Sequence, residues 1–300
     1  MTTRVSDAAL PDQSLKRYAF PALLFGGLSV GCAPILVRLS EVGPSATAFW
    51  RVSLALVPLA LVAALIRDRS GPDASPRTLR DWLEVSLPGV FLGLELCIWH
   101  VSLHMTSVAN ATLLVNMTPV FAALIGWAAF GRPVGRAFML GVAVAIAGVA
   151  TLTNSGSGHG AGSLSGDAVA LAAAAVYAGY FLTLARARRR FAAMPVMLAT
   201  TTAAALVTLP LALAEGPMAP ATSAGWVSLV ALAWIVQGAG QGLVTFAIAW
   251  LSPTVSSLVM LIQPVVAAGI AWSLFDERLT ALQILGGAAV LGGIMIARRG

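Results

Sequence analysis

Ten stretches of this chain each run for about twenty residues with almost no charge, the length an α-helix needs to cross roughly 30 Å of hydrocarbon. They are 18–37, 45–66, 83–104, 108–130, 134–153, 166–186, 194–214, 225–249, 253–274 and 279–297. The expected fold is therefore an all-α integral membrane protein with ten transmembrane helices. Composition agrees: 58% of residues are hydrophobic and 10% charged, and mean hydropathy is +0.88. A soluble chain carries about 25% charged residues to keep its surface wet. The bilayer is thus the first expected partner.

A net charge of +6 raises the question of nucleic acid, but the placement of the charges answers it. Loops rich in Lys and Arg face the cytoplasm. With the N-terminus inside, the inside segments collect Arg4, Lys16, Arg17, Arg67, Arg69, Arg77, Arg80, Arg132, Arg136, Arg186, Arg188, Arg189, Arg190, Arg298 and Arg299, which is 15 of the 18 basic residues. Only Arg38, Arg51 and Arg278 fall on or near the other side. Topology accounts for the charge; both termini are expected inside and no nucleic-acid partner is needed. Cys32 and Cys97 lie inside apolar segments and imply no disulfide framework. The first apolar stretch is too long for a secretory signal and lacks a clear cleavage site, so it is read as a retained span.

One phrase occurs twice. Thr118–Phe130 reads TPVFAALIGWAAF and Gln263–Phe275 reads QPVVAAGIAWSLF, 145 residues apart. The same offset pairs Ser107 with Ser252, Leu113 with Leu258, Pro119 with Pro264 and Trp127 with Trp272. It also pairs Phe130 with Phe275, Gly141 with Gly286 and Gly148 with Gly293. Spans one and six align more weakly, through Leu23 with Leu171, Gly31 with Gly179 and Arg38 with Arg186. Chance similarity between Ala-rich helices does not readily hold Pro, Trp, Phe and two Gly at one spacing. The expected units are 18–153 and 166–297, joined by the Gly/Ser-rich linker 154–165. Five spans is an odd number, so the second unit enters from the opposite side. Such an inverted repeat is the architecture of carriers that rock around a midplane site.

GPSATAFWRVSLALVPL, TLLVNMTPVFAALIGWAAFGRP and LVMLIQPVVAAGIAWSLFDERLTALQILGGAAVLGGI resemble the paired EamA domains of the drug/metabolite transporter superfamily. The resemblance covers roughly residues 20 to 297. It implies ten helices, a bacterial inner membrane, no cofactor, and export of amino acids or other small metabolites. Exporters of aromatic and other neutral amino acids are the subgroup expected.

Polar groups at membrane depth are costly and are therefore candidate functional residues. Glu95 lies mid-way along span three with Trp99 one turn on. Desolvation disfavours a charged carboxylate, so Glu95 is a candidate proton carrier as well as a substrate ligand; the rival reading is a packing hydrogen bond. Trp234, Gln237 and Gln241 fall on one α-helical stripe of span eight, where amides can bind both carboxylate and ammonium groups. Tyr177 and Tyr180 on span six, with Trp50, are read as an aromatic cavity wall, although the depth of Trp50 equally suits an interfacial belt. Asn116 and Gln263, candidate substrate ligands, lie near Pro119 and Pro264, whose missing N–H groups favour kinks and make them candidate hinges. Thr118 and Gln263 are candidates to patch the freed carbonyls. Arg51 is expected to snorkel toward headgroups.

His100 and His104 share a helical face, but the Glu that a zinc-protease motif needs after the first His is Val101 here. His159 is the only other histidine and lies in the linker. Metal ligation is not expected, and the pair is read as touching water or headgroups. Small residues on spans five and ten, such as Gly141 with Ala145 and Ala288 with Gly292, are assigned to packing within one subunit or between two, leaving monomer and homodimer both open. No GxxxxGK[ST] stretch is present, so ATP drive would need a partner. The leading function is a secondary transporter exporting small metabolites, foremost neutral and aromatic amino acids, by alternating access around a central cavity. The alternatives are a carrier of cationic drugs or other metabolites, an intramembrane enzyme using Glu95, His100 and His104, and a channel.

Overall fold

The computed structural model describes residues 17–66, 75–130, 135–153, 163–188, 190–248, 262–276 and 279–297. Several residues considered above lie outside these ranges: Arg4, Lys16, Arg67, Arg69, Arg132, His159, Arg189, Ser252, Leu258, Arg278, Arg298, Arg299 and most of the linker. Every regular element among the described residues is helical. Span one comprises α1 (Ala19–Gly31) and α2 (Ala33–Arg38), span two α3 (Pro44–Ile66), and span three α4 (Leu79–Met105). Span four comprises α5 (Val108–Val115) and α6 (Thr118–Phe130), span five α7 (Arg136–Thr153), span six α8 (Leu164–Arg188), and span seven α9 (Ala193–Glu215). Span eight joins α10 (Ser223–Ala231), a π-helical stretch Leu232–Gly240, and α11 (Gln241–Ile248); α12 (Ile262–Phe275) and α13 (Ala281–Ala297) belong to spans nine and ten. Seven helical units are long and apolar enough to cross a bilayer, and three shorter apolar helices complete the ten.

Local chemistry fixes the helix ends. Thr78 and Asp81 form a reciprocal capping box at the start of α4, and Thr280 with Gln283 repeats it at the start of α13. The breaks are equally local. Pro119 cannot donate to the Val115 carbonyl, so Thr118 Oγ1 donates to it at 2.6 Å. Asn116 donates from Nδ2 to the Thr112 carbonyl at 2.7 Å and so closes the end of α5. Pro264 lies in the first turn of α12, where a proline's missing donor costs little.

Most of the extensive pairings of spans obey one rule, the contact of span two with span three being the main exception. Span three packs on spans six and seven, and span eight on spans one and two. Span four packs on six, and span nine on one. Span two meets seven, and span five meets ten. Adding or subtracting five exchanges each pair for another pair or for itself, which is the signature of a twofold axis. Spans five and ten fix its direction. A Cβ at Gly148 would lie 2.7 Å from both the Gly286 oxygen and the Val290 nitrogen; one at Gly293 would lie 2.6 Å from the Gly141 oxygen and 2.5 Å from the Ala145 nitrogen. The early part of α7 therefore meets the late part of α13 and the reverse, so the helices are antiparallel and the axis lies across them. Each contact becomes the other when 145 is added or subtracted. The two units are an inverted repeat.

Within one subunit Ala288 and Gly292 do not make the expected packing contact. Ala288 is exposed, and nothing lies within 4 Å of a Cβ at Gly292. The contact uses Gly286, Val290 and Gly293, one face round the helix. We expect Gly148→Ala and Gly293→Ala each to destabilise the fold by about 1–3 kcal/mol, because backbone atoms must move to admit the methyl group. Gly292→Ala should be nearly neutral, and thermal unfolding in detergent separates the two outcomes.

Candidate substrate-binding site

Four residues of α4 at helical spacing, Leu92, Glu95, Leu96 and Trp99, share one face. They line a buried cavity of about 50 Å³ together with Arg51 of α3, Tyr177 and Tyr180 of α8, Gln237 and Gln241 of span eight, and Gln263 of α12. Val30 and Pro34 from span one and Thr112 and Val115 from span four complete the wall. The breaks in spans one and four and the π-stretch of span eight therefore meet at this level. Irregular backbone at membrane depth is tolerated where it is buried in protein or lines a cavity.

Arg51 does not snorkel. It is 6% exposed, and its Nε donates to Gln237 Oε1 at 3.0 Å. Its guanidinium carbon lies 5.9 Å from the Trp99 ring centroid, and among the described residues Nη1 has no acceptor. Inward packing against Trp99 and the Gln237 amide supplies what headgroups would otherwise offer. Glu95 is 4% exposed, and among the described residues no hydrogen bond or ion pair within 4 Å engages its carboxylate. Trp99 is 7% exposed with its indole N–H also unpartnered. Tyr177 and Tyr180 stack with centroids 5.3 Å apart and planes 8° from parallel, and Gln241 is the hydrogen-bonding neighbour of the Tyr180 hydroxyl.

The structure thus brings Glu95, Trp99, Tyr177, Tyr180, Gln237, Gln241 and Gln263 together and adds Arg51. Two expected members are elsewhere. Asn116 caps α5 as described. Trp234 is 49% exposed, and its Nε1 donates to the Leu54 carbonyl at 3.1 Å. That carbonyl is the one Pro58 cannot serve, so the indole repairs a proline gap in α3. An α-helical stripe put Trp234 beside Gln237; the wider π-turn advances each residue through a smaller angle and parts them. Trp50 also leaves the centre: its Nε1 donates to Met218 O at 2.6 Å beside Trp226. His100 is fully buried with Nδ1 3.1 Å from the Pro44 oxygen, whereas His104 is exposed, so the two do not share one wetted environment. No cluster of three His, Cys, Asp or Glu exists among the described residues.

A much larger groove of about 850 Å³ lies between α5, α12 and α13, but apart from Asn110 and Gln283 its lining is apolar. Volume without convergent polar groups gives a bilayer nothing to distinguish from its own acyl chains, so the small polar cavity is the better site. A second small cavity, about 30 Å³, shares Leu92, Tyr180, Gln237 and Gln241 with the central one and extends past Thr200 and Thr201 to Arg188.

Ties between helices lie at both ends of the bundle. At the basic end, Arg190 pairs with Glu84 and Asp81, and Arg186 with Glu84 at 3.3 Å. At the far end, Arg38 donates to the Leu103 and Thr106 carbonyls at 3.0 and 2.8 Å. Glu215 accepts from the first-turn amides of Ser45 and Ala46 at 2.7 and 3.2 Å. Glu41, in the left-handed region at φ 60°, accepts from the hydroxyl and amide of Thr222, bonds that hold its carboxyl below the usual carboxylate range. Asp167, which the sequence reading passed over, is 1% exposed; it accepts from Thr106 Oγ1 at 2.7 Å and Asn110 Nδ2 at 3.3 Å, tying span six to the turn between spans three and four. An acidic residue in the first turn of a span was the available signal.

A multi-pass helical membrane protein with inverted repeats and a buried polar centre is the class this geometry defines. The chain belongs to the EamA-like transporter family, whose model matches residues 18–154 and again 164–299. A solved crystal structure shares the fold with a TM-score of 0.63 at 18% identity, over 95% of this chain and 98% of that one. No curated protein matches the chain.

Trp234→Phe removes the only indole donor to Leu54 while leaving the central cavity intact. We expect a loss of roughly 0.6–1.7 kcal/mol, the range measured for hydrogen bonds between membrane helices, seen as a lower midpoint of thermal unfolding in detergent.

Proposed function

We propose that this transporter is a secondary carrier of a bacterial inner membrane that exports small neutral and aromatic amino acids by alternating access. The observation that carries the reading is that one basic and one acidic side chain, Arg51 and Glu95, line one buried cavity walled by Trp99, Tyr177 and Tyr180. A molecule that is both zwitterionic and apolar suits such a lining, whereas a bare organic cation could pair with Glu95 but would leave the Arg51 guanidinium unanswered. The enzyme alternative loses support because His100 is bonded to Pro44 and His104 is exposed, so neither joins Glu95 in the cavity.

In this reading the basic end is cytoplasmic, as are both termini. Units 18–153 and 166–297, joined by 154–165, rock against each other. Glu95, Trp99, Tyr177, Tyr180, Gln237, Gln241 and Gln263 bind substrate, and Pro119 and Pro264 serve as hinges. The cavity of about 50 Å³ has room for a few waters, against about 300 Å³ or more for a small-molecule site. Substrate entry therefore requires the helices to part, and the second cavity toward Arg188 marks the cytoplasmic route.

Saturable uptake of a panel of labelled amino acids into proteoliposomes tests the reading; folded protein that takes up none of them would overturn it. Glu95 is also the one carboxylate lining the cavity, which makes it the coupling group if transport responds to a pH gradient. Glu95→Gln is then expected to abolish that response, and normal transport with the response retained would exclude proton carriage by Glu95.

A further inference from the structure

Counting unmet hydrogen-bonding groups in the central cavity gives a sharper picture of its ligand. Among the described residues two enclosed donors, Arg51 Nη1 and Trp99 Nε1, lack acceptors, and both residues line the cavity. One acceptor, the Glu95 carboxylate, lacks a donor among the described residues. Burying such groups unpaired is costly, and the cost is removed by a ligand that is their complement. That complement is a carboxylate with two acceptor oxygens joined to an ammonium. Gln237 holds Arg51 by its Nε, which fixes the guanidinium plane and leaves the Nη edge for the ligand.

We propose that Arg51, with the Trp99 indole, anchors the substrate carboxylate and that Glu95 anchors its ammonium, so that the site selects intact amino-acid zwitterions over amines and acids of the same shape. This rests on the amino-acid reading above and assigns to Arg51 the discriminating part. The stacked rings of Tyr177 and Tyr180 remain for the side chain. Arg51 is a binding residue in this account, in contrast to a merely structural tie between spans two and eight.

The test is competition against labelled phenylalanine counterflow in proteoliposomes, using phenylalanine, phenethylamine and 3-phenylpropionate. A parallel series uses leucine, isopentylamine and 4-methylpentanoate. Removing one partner of a charged hydrogen bond weakens binding by about tenfold or more, so wild-type protein should prefer each amino acid over both of its analogues by at least that factor. Arg51→Gln should lower affinity for the amino acid to that of the amine while leaving the amine unchanged. A purely structural Arg51 would instead weaken both alike and preserve the preference.

Equal competition by amine and amino acid in the wild type overturns the proposal without needing a variant, as does a preference retained in Arg51→Gln. Arg51→Lys, which keeps charge but loses the planar fork, should recover part of the preference. If amino acids are transported but not discriminated from their analogues, the clamp fails and the carrier reading stands. If no amino acid of either series competes in folded protein, both fail.

Discussion

Hydrocarbon offers no hydrogen-bond partner, so every polar group at membrane depth must be answered from within the protein. Most of this structure can be read as those answers. The Leu54 carbonyl freed by Pro58 is met by Trp234, and the Val115 carbonyl freed by Pro119 by Thr118. The end of α4 is met by Arg38, the start of α3 by Glu215, and Asp167 by Thr106 and Asn110. Against that background the unanswered groups carry information. Among the described residues Ser53 Oγ, His100 Nε2 and Asn110 Oδ1 go unpartnered away from the central cavity, whereas Arg51 and Trp99 each keep an unpartnered donor in its wall and Glu95 stands without a donor beside them. A fold that satisfies single carbonyls at two proline gaps leaves a guanidinium edge free at its centre, where a ligand is the natural partner.

The repeat explains the scaffold and its departures explain the site. Gly148 against Gly286 and Gly293 against Gly141 are the same contact seen twice, so the span five and ten pair is symmetric down to individual atoms. The centre is not. At the repeat offset Glu95 corresponds to Gly240, and Leu92 and Leu96 to Gln237 and Gln241. Charge comes from the first unit, and amides and phenols from the second. Gly240 is also where the π-stretch ends, so the second unit changed its backbone as well as its side chains at the level of the cavity.

Much of this was legible in the sequence, for physical reasons. Apolar length and loop charge report the bilayer directly, and an offset kept by Pro, Trp and Gly reports duplication. Glu95, Trp99, Gln237, Gln241, Gln263, Tyr177 and Tyr180 stood out because polar or aromatic residues inside apolar helices need a reason to be there, and the cavity holds them all. Trp234 was misplaced because an α-helical stripe assumes an α-helix, and nothing in LAWIVQGAG announces a π-turn. Arg51 was misplaced because snorkelling or inward packing depends on what the neighbouring helices offer, which here is Gln237 from a span 186 residues away. Asp167 stands where an acidic residue is ordinary, in the first turn of a helix, and only tertiary packing makes it a buried bridge.

The ties at the two ends differ in kind, and the difference bears on how the proposed exchange of access would begin. At the basic end the buried Thr200 hydroxyl bonds the Val85 carbonyl beside the apolar cluster of Val85, Ala187 and Phe191, and the outer ties are ion pairs whose arginines are half or more exposed, 52% for Arg190 and 72% for Arg186. Exposed pairs contribute roughly 0–1 kcal/mol each and weaken with salt. At the far end Arg38 caps backbone carbonyls, Trp50 binds the Met218 carbonyl within an aromatic cluster, and Glu41 holds Thr222 by two bonds. Opening that end would strand helix-terminal carbonyls that water reaches poorly beside Phe275 and Trp226. In the proposed cycle the exposed ion pairs of the basic end are the cheaper ties to break, and the second cavity runs from the centre toward that end. A zwitterion that answers Arg51, Trp99 and Glu95 would remove the centre's preference for whichever packing best hides them, and the helices would then trade the ties of one end for those of the other.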